Sequence, residues 1–196
     1  MPHADSSRIS PTSSKAEFYS LLHTQLRSLL ADQRNVITNA SNLASLVYWA
    51  LHGEGRRVNW CGFYFVPFIL DQRSANPTPS DMPTSLLLGP FHGRPACQSI
   101  SLSHPKKEHL GVCADAFLTG ETVRVANVEQ YPGHIACDGE TKSEIVLPIL
   151  VGDLGRKVGV FDLDCEVLEG WDEEDQKGLL EVVRIFVECS DWGEIN

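Results

Sequence analysis

The chain has 196 residues, 42% of them hydrophobic and 21% charged, which suits one well-buried globular domain and is barely enough for two. Its formal net charge of −10, relieved only by the short "HPKKEH", argues against nucleic acid and anionic membrane surfaces as partners. No apolar run approaches the ~18–20 residues of a membrane span, and six cysteines in a chain of this size, without a secretory signal, point to a reducing, cytoplasmic compartment rather than a disulfide scaffold.

Residues 1–15, "MPHADSSRISPTSSK", have no apolar core and read as a flexible tail, with an organellar address as the other reading. Residues 16–31 place Phe18, Leu21, Leu22, Leu26, Leu29 and Leu30 at helical spacing. A second helix is predicted over about 36–51, with Ile37, Leu43, Leu46, Val47 and Ala50 on its apolar side and Gly53 as its stop. The aromatic "VNWCGFYFV" (58–66) is the first strand, bounded by Pro67. Residues 71–83 are rich in Pro, Ser and Asn and read as a surface loop. Two strands, 85–91 and 96–102, follow around "HGRP", then a polar excursion and a short helix over 110–120 closed by Gly120. A strand over 122–128 leads into a long loop, and 144–151 with 158–167 form a hairpin. The last helix starts at "WDEEDQ", whose acidic first turn suits the positive helix end, with Leu179, Leu180, Val183, Phe186 and Val187 as its buried stripe. Helices at both ends around about six hairpin-connected strands imply an α+β domain with a central antiparallel sheet, a single unit over 16–192.

The cysteines divide in two. Cys61, Cys165 and Cys189 sit among apolar neighbours in predicted elements, where a thiol acts as a small hydrophobe. Cys97, Cys113 and Cys137 lie in loops or at element edges. Structural zinc sites pair ligands two to four residues apart, and no such cysteine pair exists, so no metal is expected. Redox chemistry fits better. Cys113 falls near a helix start, where the dipole favours a thiolate. Cys137 has Asp138, Glu140 and Glu144 close in sequence, which disfavours a thiolate unless nearby carboxyls are protonated.

Alternation puts Val160, Asp162 and Asp164 on one face of their strand and Trp60, Gly62 and Tyr64 on one face of theirs. Two aspartates on one face read either as a solvated outer surface or as a polar pocket for a cation or a neutral carboxyl. Gly62 between two aromatics leaves a gap into which something flat or apolar could fit. Whether these two faces meet is not written in the sequence.

In order along residues 16–190, "NWCGFY", "GPFHGRPACQ", "GVCADA", "YPGHIACDGETKSEIVLPI" and "VGVFDLDCEV" resemble the free methionine-R-sulfoxide reductases, a branch of the GAF-domain superfamily. The resemblance implies a GAF fold with a small enclosed pocket and reduction of the R epimer of free methionine sulfoxide. It implies Cys137 as the nucleophile, Cys97 as its usual disulfide partner and Cys113 as a third redox cysteine, with the division between Cys113 and Cys137 open. Trp60 and Tyr64 match the aromatic wall around the methyl sulfoxide, and Glu144, Asp162 and Asp164 the carboxylates that bind substrate and polarise its S–O bond. No bound cofactor is implied; an external dithiol protein such as thioredoxin, itself reduced at the expense of NADPH, would recycle the disulfide. A homodimer stays open. The loops at 71–83 and 101–109 are longer than usual in the family, and "GVCA" replaces the common "GVCG". A GAF module that senses a small molecule without chemistry is the alternative, and a zinc-stabilised interaction domain a third.

Overall fold

The computed structural model describes residues 14–70, 83–103, 110–133 and 138–193. Most of the tail and of the two long loops, and Cys137 itself, lie outside them. Two helices come first, α1 (Lys15–Leu30) and α2 (Val36–Gly53). Each is started by a side chain that takes up an otherwise unpaired backbone N–H, Ser14 from Glu17 and Asn35 from Thr38. Strand β1 (Val58–Phe65) runs into a four-residue helix, α3 (Pro67–Leu70), followed by β2 (Ser85–Gly93) and β3 (Ser99–Ser101). Then come α4 (Val112–Thr119), β4 (Val123–Val125), β5 (Ser143–Val151), β6 (Arg156–Cys165) and α5 (Glu173–Cys189). Gly120 closes α4 with φ 75°, the left-handed conformation a helix stop commonly needs.

The six strands make one antiparallel sheet in the order β3-β2-β1-β6-β5-β4. One face carries Cys61, Phe63, Phe65, Ile145, Leu147, Ile149, Phe161 and Leu163, all fully buried. There α1, α2 and α5 pack, and the Phe63 ring stacks on Phe161 at 4.7 Å and meets Phe186 of α5 at 5.0 Å. On the other face α4 packs against β5, β6 and β4.

The α+β architecture matches the sequence expectation, with local departures. Leu21 and Leu180, expected in the buried stripes, are each 42% exposed. Each sits one residue, about 100° of helical turn, from a residue that is buried, Leu22 and Leu179. The short helix at Pro67 was not expected; Pro suits a first helical position, where no intrahelical N–H is needed. Strands β3 and β4 shrink to three residues each, and Val128–Gln130 form a 3-10 turn instead of a strand end. Opposite β1 the register jumps from Gly62↔Phe91 to Tyr64↔Leu88, a bulge at Gly89-Pro90. Pro90 has no N–H to give to the ladder, which explains the slip. Among the described residues no helix is long and apolar enough to cross a membrane.

Candidate active site

Three neighbouring strands build the floor of the site. Trp60 of β1 pairs with Asp164 of β6, and Asp164 with Glu144 of β5. The next row that faces the same way is Gly62, Asp162 and Val146. The aromatic face of β1 and the aspartate face of β6 are therefore one surface, continued by Glu144, and it points away from the main helical layer. Asp162 and Glu144 are each only 6% exposed and Asp164 is half-buried, so the reading of this strand face as a solvated outer surface does not hold.

The gap expected at Gly62 is filled by the chain itself. A Cβ there would lie 2.3 Å from Phe91 Cβ and 2.6 Å from the Trp60 ring. Trp60 stacks between its neighbours, 5.4 Å from Phe91 and 5.8 Å from Tyr64. Gly62→Ala is expected to destabilise the fold by about 1–3 kcal/mol, the usual size of an overpacking defect, read as a lower midpoint in urea.

Above this floor is a cavity of about 100 Å³, lined by Trp60, Tyr64, Cys97, Cys113, Glu144, Asp162 and Asp164, together with Ile100, Leu110 and Thr141 among others. The second residue of α4 is Cys113, whose Sγ lies 3.3 Å from Asp162 Oδ2 and 3.9 Å from Glu144 Oε1. Cys97 is disulfide-bonded, whereas Cys61, Cys113, Cys165 and Cys189 are free thiols. The Tyr64 hydroxyl donates to the Cys97 carbonyl at 3.0 Å and so ties the Cys97 segment to the cavity wall.

Electrostatics here run opposite to the expectation for Cys113. Burial, then the charges of Asp162 and Glu144, push its thiol well above the ordinary range. The local helix dipole favours a thiolate, but it does not outweigh desolvation beside two carboxyls. The acids move the same way. Burial raises Asp162 to about 7, opposed by the thiol hydrogen bond from Cys113. Burial, then the charges of Asp162 and Asp164, hold Glu144 well above the usual carboxyl range. Burial and the Asp162 charge do the same for Asp164. Three acids in one enclosure cannot all ionise cheaply, so this site can hold a proton near neutral pH and still carry negative charge. That combination can protonate an oxygen and hold a small cationic group.

Sequence reading missed the support around these groups. Asn59, next to Trp60, donates to Asp138 Oδ2 at 3.1 Å and to Thr141 Oγ1 at 2.9 Å. Asp138 also accepts from the Glu140 N–H and from Arg94 at 3.4 Å, and these contacts hold its carboxyl below the usual range. Thr141 in turn hydrogen-bonds Asp164. Adjacency of Asp138 and Thr141 to "GHIACD" was the available signal; nothing local tied Asn59 to them.

No model of a protein family matches the chain. A protein of Saccharomyces cerevisiae named free methionine-R-sulfoxide reductase is 39% identical over 184 residues, 94% of this chain and 92% of that protein. A solved GAF domain superposes with a TM-score of 0.81 at 36% identity, covering 98% of both chains. The free methionine-R-sulfoxide reductase of Neisseria meningitidis, solved in complex with its substrate, superposes with a TM-score of 0.72 at 35% identity, covering 92% of both chains. With that identity spread over nearly its whole length, the chain belongs to the free methionine-R-sulfoxide reductase family and has the GAF fold.

Proposed function

We propose that this protein reduces free L-methionine (R)-S-oxide to L-methionine. The observation that carries this reading is the cavity whose floor sets Trp60 and Tyr64 beside three carboxyls shifted toward their neutral forms, with Cys113 and disulfide-bonded Cys97 on its lining. Trp60 and Tyr64 offer apolar surface to a methyl-sulfoxide end, and the residual negative charge holds the ammonium of a free amino acid. A residue within a peptide lacks that ammonium, so the free form is preferred.

In the reaction, the Cys137 sulfur attacks the sulfoxide sulfur and a neutral carboxyl gives its proton to the sulfoxide oxygen. The oxygen passes to Cys137 as a sulfenic acid, methionine leaves, and two electrons have moved from thiol to substrate. The Cys97 thiol then attacks the sulfenic acid, expels water and forms the Cys97–Cys137 disulfide, with Cys113 as the other possible resolving thiol. Thioredoxin, kept reduced by NADPH, reopens the disulfide by exchange. No bound cofactor is invoked, because the cysteines carry the electrons. The functional unit is the single domain 16–192, acting in the cytoplasm, alone or as a homodimer.

The test is an assay with racemic free methionine sulfoxide, thioredoxin, thioredoxin reductase and NADPH. NADPH use should stop at half of the sulfoxide added, and chiral analysis should find the S epimer left. No consumption would return the chain to the sensor reading, and consumption of both epimers would refute the stereochemistry. Cys137→Ser should abolish steady-state turnover; turnover that survives would move the nucleophile to Cys113.

A further inference from the structure

We propose that Cys113, Glu144 and Asp162 form a three-ligand site for a soft or borderline divalent cation, of the zinc or cadmium class, with its fourth position open to the cavity. The three ligand atoms lie within 4.8 Å of one another. They come from α4, β5 and β6, with Cys113 separated from Glu144 by 31 positions and from Asp162 by 49, so no sequence spacing announces them. Zinc bonds of about 2.3 Å to sulfur and about 2.0–2.2 Å to oxygen, set tetrahedrally, separate sulfur from oxygen by roughly 3.5 Å. The observed separations of 3.3 and 3.9 Å bracket that value.

A second observation points to a cationic ligand. Asp162 is 6% exposed, and its other oxygen, Oδ1, is buried without a hydrogen-bond partner. Among the described residues, those that line the cavity include no Lys, Arg or His. Oxygen donors alone would suit magnesium or calcium, whereas the thiol selects a softer ion. Three protein ligands and an open position are the pattern of an accessible ion, not of a sealed structural one. Cys113 is free while Cys97 is in its disulfide, so the site exists in the oxidised state of the protein. Such an ion would replace the protons this cluster holds and take the place of the substrate's polar end, which makes it an inhibitor of the reductase chemistry proposed above. Ion binding itself does not rest on that reading; competition with substrate does.

Titration of the full-length protein with cadmium chloride tests this through the ultraviolet charge-transfer band of a cadmium thiolate. The expected result is a band that saturates at one ion per chain, is absent in Cys113→Ser, and needs at least tenfold more cadmium in Asp162→Asn or Glu144→Gln. Zinc chloride should bleach it, and free methionine sulfoxide should raise the cadmium concentration needed. No band, a band that survives in Cys113→Ser, or unchanged affinity in both carboxyl variants would overturn the site. A band indifferent to methionine sulfoxide would overturn the open fourth position. Turnover by metal-free wild type, measured in parallel, separates failure of the metal site from failure of the reductase reading.

Discussion

Glu144→Gln is expected to lower turnover of free methionine sulfoxide by about 10²- to 10⁴-fold, the usual contribution of a placed general acid, while the protein becomes more stable at pH 7. Of the acids at the site, Glu144 is the one whose proton both Asp162 and Asp164 hold in place, because each would repel its charge. It also approaches Cys113 Sγ, so it faces the centre of the cluster. Glutamine keeps the shape and cannot give a proton. The stability sign follows from the direction of the shift. A carboxyl whose folded pKa is raised is neutral in the folded chain over a range where the unfolded chain has already ionised. Its contribution is intact below the unfolded value near 4, falls as pH rises toward the folded value, and does not return above it. Removing that group therefore relieves a penalty at pH 7, by about 0.5–2 kcal/mol, the range seen for stabilising changes of this kind. Urea unfolding at pH 7 and at pH 4 checks it: the gain should be present at pH 7 and shrink at pH 4. A variant that loses both turnover and stability at pH 7 would show that Glu144 is a structural group. In Asp162→Asn, the alkaline inflection of the rate profile should move to lower pH, because the Asp162 charge is one of those that hold the Glu144 proton in place.

Two kinds of information separate what could be read from sequence and what could not. Strands β1, β5 and β6 were legible because apolar runs end at Pro67 and at the "GDLGRK" turn, and period-two alternation assigned their faces. Alternation says which residues share a face of one strand, but not which strand lies beside it. The row Trp60–Asp164–Glu144 depends on pairings over long sequence separations, and only the ladder sets them. The same limit explains Cys113. Its place near a helix start was read correctly, yet the sign of its shift comes from Asp162 and Glu144, which tertiary packing brings to it. Short edge strands failed for a related reason: at three residues, β3 and β4 carry too little alternation to mark their ends. The bulge at Gly89-Pro90 had a local signal in Pro90, but its effect is a register slip against a distant strand.

Asp175→Ala should be the most damaging single substitution away from the site, with a loss of about 3–5 kcal/mol, as expected when one partner of a buried ion pair is removed. The Asp175 side chain is fully buried on the helical side of the sheet. Arg56, just before β1, reaches its two oxygens at 2.8 and 3.1 Å, Lys15 of α1 donates at 2.7 Å, and the Tyr19 hydroxyl at 2.9 Å. Asp175 also accepts from the Asp172 N–H and closes the capping box of α5. One carboxylate thus joins the first helix, the entry to the central strand and the last helix. Its loss leaves Arg56, itself stacked on Trp171 at 5.1 Å, without its counter-charge. Although burial opposes it, the hydrogen bonds from Arg56 and Lys15 hold the Asp175 carboxyl far below the usual carboxylate range. For a depressed carboxyl the contribution is complete above the unfolded value near 4 and is lost as pH falls below it. Wild type should therefore lose stability steeply in acid, whereas Asp175→Ala, already weakened at pH 7, should show a flatter acid limb. Asp175→Ala in an Arg56→Ala background should cost less than in the wild type, because one of its two cationic partners is already gone. Equal losses in both backgrounds would show that Asp175 acts through Lys15, Tyr19 and the helix cap rather than through Arg56.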